Sequence, residues 1–64
     1  MIEKRLKDVL ILVSQGQKNK EIAEALHISE IYVKKLISEL FKIYKVKNRV
    51  ELSIEYNAEK MNFI

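Results

Sequence analysis

The chain has 64 residues, Pro is absent, Cys is absent, and Gly and His occur once each. That composition excludes a disulfide framework and a Cys/His zinc site, two of the usual supports of a chain that buries only about 60% of its unfolded surface, and leaves oligomerisation or very good helix packing. It also excludes a sheet protein built on tight turns, because Pro is absent, Gly occurs once and no Asn-Gly or Asp-Gly dipeptide is present, so the expected fold class is all-α. The formal net charge is +3, unevenly spread: residues 1–49 carry eleven Lys/Arg against six Asp/Glu, and residues 50–64 carry Lys60 against Glu51, Glu55 and Glu59. A basic body suits a polyanion, and the acidic end suits a different contact.

The first helix is expected over about Glu3 to Gln15, with Ile2, Leu6, Val9, Leu10, Leu12 and Val13 at helical spacing. Gly16 then stands where a helix end wants a left-handed residue. Asn19 is the expected N-cap of a short second helix, Lys20 to Leu26, whose inward side is Ile22, Ala23 and Leu26. After His27-Ile28-Ser29, Ser29 caps a third helix running to about Tyr44. Its stripe is Val33, Leu36, Ile37, Leu40, Phe41 and Tyr44, and Lys42, Lys45 and Lys47 crowd its C-terminal end, the sign the helix dipole favours. Asn48 is the expected cap of a fourth helix, Arg49 to about Lys60. Val50, Leu52, Ile54, Ala58 and Met61 cover more than one side of it, with Tyr56 on another, so one face packs on the domain and one needs a partner. Met61 to Ile64 frays or packs against that partner. The organisation is one domain over residues 1–64, with a helix-turn-helix at about 19–44 and a C-terminal dimer helix at about 49–60.

Two helices joined by a three-residue turn are a helix-turn-helix candidate. Crossing helices of this kind need apolar side chains in the wedge between them, and a window begun at Asn19 supplies Ile22, Leu26, Ile28, Val33 and Leu36. Where the third helix crosses directly over the second, the residue must be small, and it is Ala23. The turn position that tends to positive φ holds His27, a side chain tolerated there better than most.

Taken in order, Gly16, Asn19-Lys20-Glu21-Ile22-Ala23, Leu26, Ile28-Ser29-Glu30, Val33-Lys34 and Val46-Lys47-Asn48-Arg49-Val50-Glu51 resemble the LuxR-type, or GerE-like, helix-turn-helix domain. The resemblance runs from about Ile2 to Ile54 and includes Val9-Leu10 and Leu12-Val13 of the first helix. It implies a four-helix DNA-binding domain of bacterial transcription regulators, with the third helix in the major groove and the fourth forming a dimer contact. The sequence departs from the family at four places. Tyr32 replaces a hydroxyl residue that usually touches the DNA backbone, and Leu36 replaces a polar residue. Lys45 stands where Gly is usual before Val46, and Leu6 replaces a usual Glu.

On the third helix Val33 and Ile37 face inward, while Lys34, Lys35 and Ser38 lie opposite, together with Ile31. Lysine donates to guanine O6 and N7 and serine donates or accepts, so Lys34, Lys35 and Ser38 are the candidate base contacts. The resemblance points to the same three. Candidate phosphate contacts are Lys18, Asn19 and Lys20 around the start of the second helix, Tyr32 through its hydroxyl, and Lys47 and Arg49 at the start of the fourth. The expected dimer residues are Leu52, Ile54, Tyr56 and Met61. His27 is a turn residue rather than a metal ligand, because no third ligand is in reach. Phe41, Tyr44 and Tyr56 are read as core or dimer contacts.

With no Gly-rich phosphate loop, nucleophile elbow or paired carboxylates, an enzyme is not expected, and neither is a cofactor or a metal. The longest uncharged stretch, Val9 to Gln17, is far short of the ~20 residues of a membrane span, and no secretion signal is legible, so a cytoplasmic location is expected. The expected partners are double-stranded DNA and a second copy of the chain. With no room for a sensing domain expected in a chain of this length, control is expected to fall to abundance, to a partner or to the dimer equilibrium. The competing reading is a protein-interaction module that pairs with a larger transcription regulator through the fourth helix and antagonises it.

Overall fold

A computed structural model describes residues 3–61. Four helices follow one another in it: α1 Lys4–Ser14, α2 Asn19–Leu26, α3 Glu30–Tyr44 and α4 Arg49–Met61, with no strand among the described residues. Ile2 and the end of the chain, residues 62–64, lie outside the described residues, so the expectations placed on them are not addressed.

The helices gather round one core. Leu6, Val9, Leu10 and Val13 of α1, Ile22 and Ala23 of α2, Val33, Leu36, Ile37 and Leu40 of α3, and Leu52 of α4 are buried together. Helix α1 touches all three others, α3 packs on α1, α2 and α4, and α2 crosses α3 as the wedge pattern requires. Of the five wedge residues Ile22, Val33 and Leu36 are buried, Leu26 and Ile28 pack half-buried against them, and Ala23 is the small residue under the crossing. Leu6, in place of the family's usual acid, is buried in the same cluster. Burial of a leucine-sized side chain contributes about 1.5–3 kcal/mol, so this replacement gives the core apolar area in exchange for a polar contact.

Three of the helix ends use one device. After α1, the Gly16 N–H donates to the Val13 carbonyl at 3.0 Å and the Gln17 N–H to the Leu12 carbonyl at 3.1 Å. After α2, the Ile28 N–H donates to the Ala23 carbonyl at 3.0 Å, and after α3 the Val46 N–H donates to the Phe41 carbonyl at 3.0 Å. At each end a bond spanning five residues closes the helix through a left-handed residue: Gly16 at φ 84°, His27 at φ 58° and Lys45 at φ 57°. Ile28 and Val46, just past the reversals, pack on the core and anchor them. Only the first reversal has the residue that adopts this conformation without strain. The second is the turn expected at His27, and the third places Lys45 in the left-handed conformation that glycine adopts freely.

The helix starts agree with the sequence at two of three places. The Ser29 hydroxyl accepts from the Tyr32 N–H at 3.1 Å, and Asn48 Oδ1 accepts from the Glu51 N–H at 2.9 Å. The second helix starts one residue earlier than expected, because Lys18, not Asn19, is its N-cap. A lysine side chain has no acceptor to offer, so the capping is done from inside the helix: the Glu21 carboxylate accepts from the Lys18 N–H at 2.7 Å. Asn19 is thereby released from capping and serves elsewhere. Helix α1 is one residue shorter at each end than the apolar spacing suggests, Glu3 and Gln15 being its caps.

Candidate nucleic-acid interface

The site is assembled from the exposed half of α3 and the ends of α2 and α4 that flank it. With Val33, Leu36, Ile37 and Leu40 committed to the core, the helical repeat leaves Lys34, Lys35 and Ser38 exposed on the opposite side. Lys34 and Ser38 border an open groove of about 600 Å³ whose other wall holds Asn19, Lys47, Asn48 and Arg49. The groove thus joins two candidate base contacts to three candidate phosphate contacts, Asn19 of α2, Lys47 of the link before α4 and Arg49 of α4. Lys18, Lys20, Tyr32 and Lys35 lie outside it, all exposed on the surface.

Two acids in this basic region are held at helix starts. Glu21 accepts from the Lys18 N–H, and Glu51 Oε1 accepts from the Lys47 N–H at 3.0 Å. Positive helix N-termini take up both carboxylates, which leaves the lysine ammonium groups to set the sign of the surface.

Arg49 does something the sequence does not announce. Its Nη1 donates to Asn19 Oδ1 and its Nη2 donates to the Gln17 carbonyl at 2.6 Å. One half-buried guanidinium therefore clips the start of α4 to the start of α2 and to the chain between α1 and α2. Its planar fork reaches both acceptors at once, which a lysine cannot do. Arg49 and Asn19 are first of all groups that position the groove, since the acceptor of one and two nitrogens of the other are engaged within the domain. No local signal in the sequence pairs residues thirty positions apart.

The far end of α4 is tied as well. The Tyr44 hydroxyl donates to the Glu59 carboxylate at 3.2 and 3.3 Å. Burial, then the Glu59 charge and this hydrogen bond, and last Tyr56, raise the Tyr44 phenol from 10.0 to about 12.

The dimer residues expected on α4 divide in two. Leu52 is fully buried in the domain's own core and cannot form an outward contact. Tyr56 packs half-buried against that core. Alternation of inward and outward residues on one helix separates them from Ile54 and Met61, which are 60% and 69% exposed. Val50, omitted from the expected set, is 69% exposed on the same side, four residues before Ile54. The outward apolar stripe is therefore Val50, Ile54 and Met61, with Ala58 exposed beside it. No helix among the described residues is long and apolar enough to cross a membrane.

The chain matches the family described as bacterial regulatory proteins, luxR family (GerE), over residues 3–55. It is 39% identical over 57 residues to the nitrate/nitrite response regulator protein NarL of Escherichia coli (strain K12), covering 89% of this chain and 26% of that protein. It is 41% identical over 59 residues to the uncharacterized transcriptional regulatory protein YhcZ of Bacillus subtilis (strain 168), covering 88% of this chain and 28% of that one. The chain thus spans little more than a quarter of the length of these relatives. No solved structure matches it significantly. With four helices in the expected order, a helix-turn-helix wedge filled as the family requires and a family match over most of its length, the chain belongs to the luxR family of bacterial regulatory proteins and is a DNA-binding helix-turn-helix domain.

Proposed function

We propose that the chain is a sequence-specific transcription regulator of the cytoplasm that binds double-stranded DNA as a homodimer, without enzymatic activity or a cofactor. The recognition helix α3 enters the major groove, and α4 supplies the dimer contact. The observation that carries this reading is the exposed face of α3. It presents Lys34, Lys35 and Ser38, donors that suit base edges, on a helix whose opposite face is locked into the core. Lys18, Lys20 and Lys47 are exposed and suit phosphates, with Tyr32 offering a hydroxyl. The outward stripe of Val50, Ile54 and Met61 supports α4 as the contact between copies.

Selection of bound sequences from random DNA, followed by footprinting, tests the reading. Two protected half-sites about one helical turn apart are expected, since symmetric recognition helices enter successive grooves on one face of the duplex. Lys20→Ala is expected to weaken binding to all sequences alike and to lower the salt slope by about one.

The second reading is the interaction module that pairs with a larger regulator through α4. What favours it is the same exposed apolar stripe, which fits a foreign helix as well as a second copy. Leu36 lends it no weight, because that side chain belongs to the core and leaves the exposed face of α3 unchanged. Absence of any enriched DNA sequence, together with a stable complex with another regulator, is the result that selects it.

A further inference from the structure

One residue on the exposed face of α3 is accounted for by neither packing nor charge. Ile31 stands in the first turn of the helix with 80% of its surface open. Lys34, Lys35 and Ser38 follow it at three, four and seven positions, so the four share one side of the helix. The apolar face of α3 lies on the other side, and nothing in the core reaches Ile31. Helix formation does not call for it either. Ser29 and Glu30 already supply the cap and the first-turn charge, and a β-branched residue is a poorer helix former than most.

Base-edge chemistry offers this side chain a specific use. The major groove has one apolar group, the 5-methyl of thymine. Lys34, Lys35 and Ser38 exchange hydrogen bonds, and Ile31 cannot; it can only cover apolar surface. We propose that Ile31 packs on a thymine 5-methyl group and is a specificity residue of each half-site. The inference rests on the DNA-binding reading and narrows it. Ile31 precedes Lys34 and Lys35 by about 5 Å of helix axis at 1.5 Å per residue. Base pairs are spaced by about 3.4 Å, so the thymine lies one or two steps from the bases that the lysines read. With lysine donors matched to guanine, the half-site holds a thymine beside guanine.

The test uses the full chain and a site selected from random DNA. Each thymine of the site is replaced in turn by deoxyuridine, which lacks only the methyl group. The wild type is expected to lose about three- to tenfold in affinity at one position per half-site, the scale of a buried methyl. Ile31→Ala is expected to bind the thymine and deoxyuridine forms equally, and Ile31→Val to keep most of the preference. If wild type is indifferent to every replacement, or Ile31→Ala retains the same ratio, Ile31 reads no methyl and the inference is overturned while DNA binding stands. If a folded chain, judged by its circular dichroism, enriches no sequence at all, the DNA-binding reading fails and this one with it.

Discussion

Helices α3 and α4 turn apolar stripes onto the same core, α3 with Val33, Leu36, Ile37 and Leu40, α4 with Leu52 and the half-buried Tyr56. Their other faces have little in common. Helix α3 shows two lysines and a serine to solvent, and α4 shows Val50, Ile54 and Met61 among acidic residues. Burial on one face explains why both are helices here, and it leaves the opposite face open to a different use. A cationic, hydrogen-bonding face matches a hydrated polyanion, while an apolar face gains only by excluding water against another protein. The difference between the helices is thus one of exposed chemistry rather than of fold.

The contrast breaks first, and by the largest amount, at the inner face of α4. Leu52→Ala is expected to cost about 2–5 kcal/mol in urea unfolding, while Ile54→Ala stays within about 0.5 kcal/mol for the isolated domain. Equal losses would mean that the two sides of α4 are not distinguished as described. The outer face is tested by Ile54→Glu, which sets a charge in the apolar stripe. Sedimentation should then find monomer where the wild type is dimer, with the domain still folded. A dimer that survives the substitution has its contact elsewhere.

For α3 the matching substitution is Lys34→Ala, with Lys35→Ala beside it. Each is expected to cost about 1–3 kcal/mol on the selected site and to relax preference at one base position, leaving the dimer intact. Wild-type binding by both variants would take base reading away from α3. A smaller effect sits at the junction of the two helices. Lys45→Gly should raise stability by about 1 kcal/mol, because a left-handed backbone costs a side-chain-bearing residue and costs glycine nothing extra. A urea midpoint that does not rise would show that Lys45 carries no strain. His27 at the α2–α3 turn invites the same comparison.

An effect silent below pH 10 is at the far junction, where Tyr44 meets Glu59. The folded chain holds the phenol proton to about pH 12 against 10.0 for an ordinary tyrosine. Between those values the folded state binds more protons than the unfolded one, so this contribution is complete below pH 10 and lost by about pH 12. Absorbance titration against a Tyr44→Phe control isolates the phenol. Glu59→Gln should lower its midpoint only part of the way, since burial is the larger cause.

Much of this molecule is legible along the chain because its signals are local. Ser29 and Asn48 cap where their side chains can reach the next turn, Gly16 ends α1, and the period of apolar residues marks the buried face of α3. Lys34, Lys35 and Ser38 follow from that period by elimination. Asn19 misleads for the same reason. It has the composition of a cap, and nothing beside it reveals that Glu21 does the capping or that Arg49 claims its side chain.

Four helices, the wedge between α2 and α3, the sign of the exposed α3 face and the family are all readable from the order of residues. Tertiary structure alone decided which side of α4 is outward, moving Leu52 into the core and Val50 onto the surface. It also joined Asn19, Lys34, Ser38 and Lys47 around one groove and made Arg49 its clip. The physical reason is range. Capping and periodicity act within a turn or two, so they are written in adjacent letters. Burial on a helix with apolar residues on several sides is settled only when α1 and α3 arrive to cover one of them, and a guanidinium finds its acceptors only after the chain between has folded.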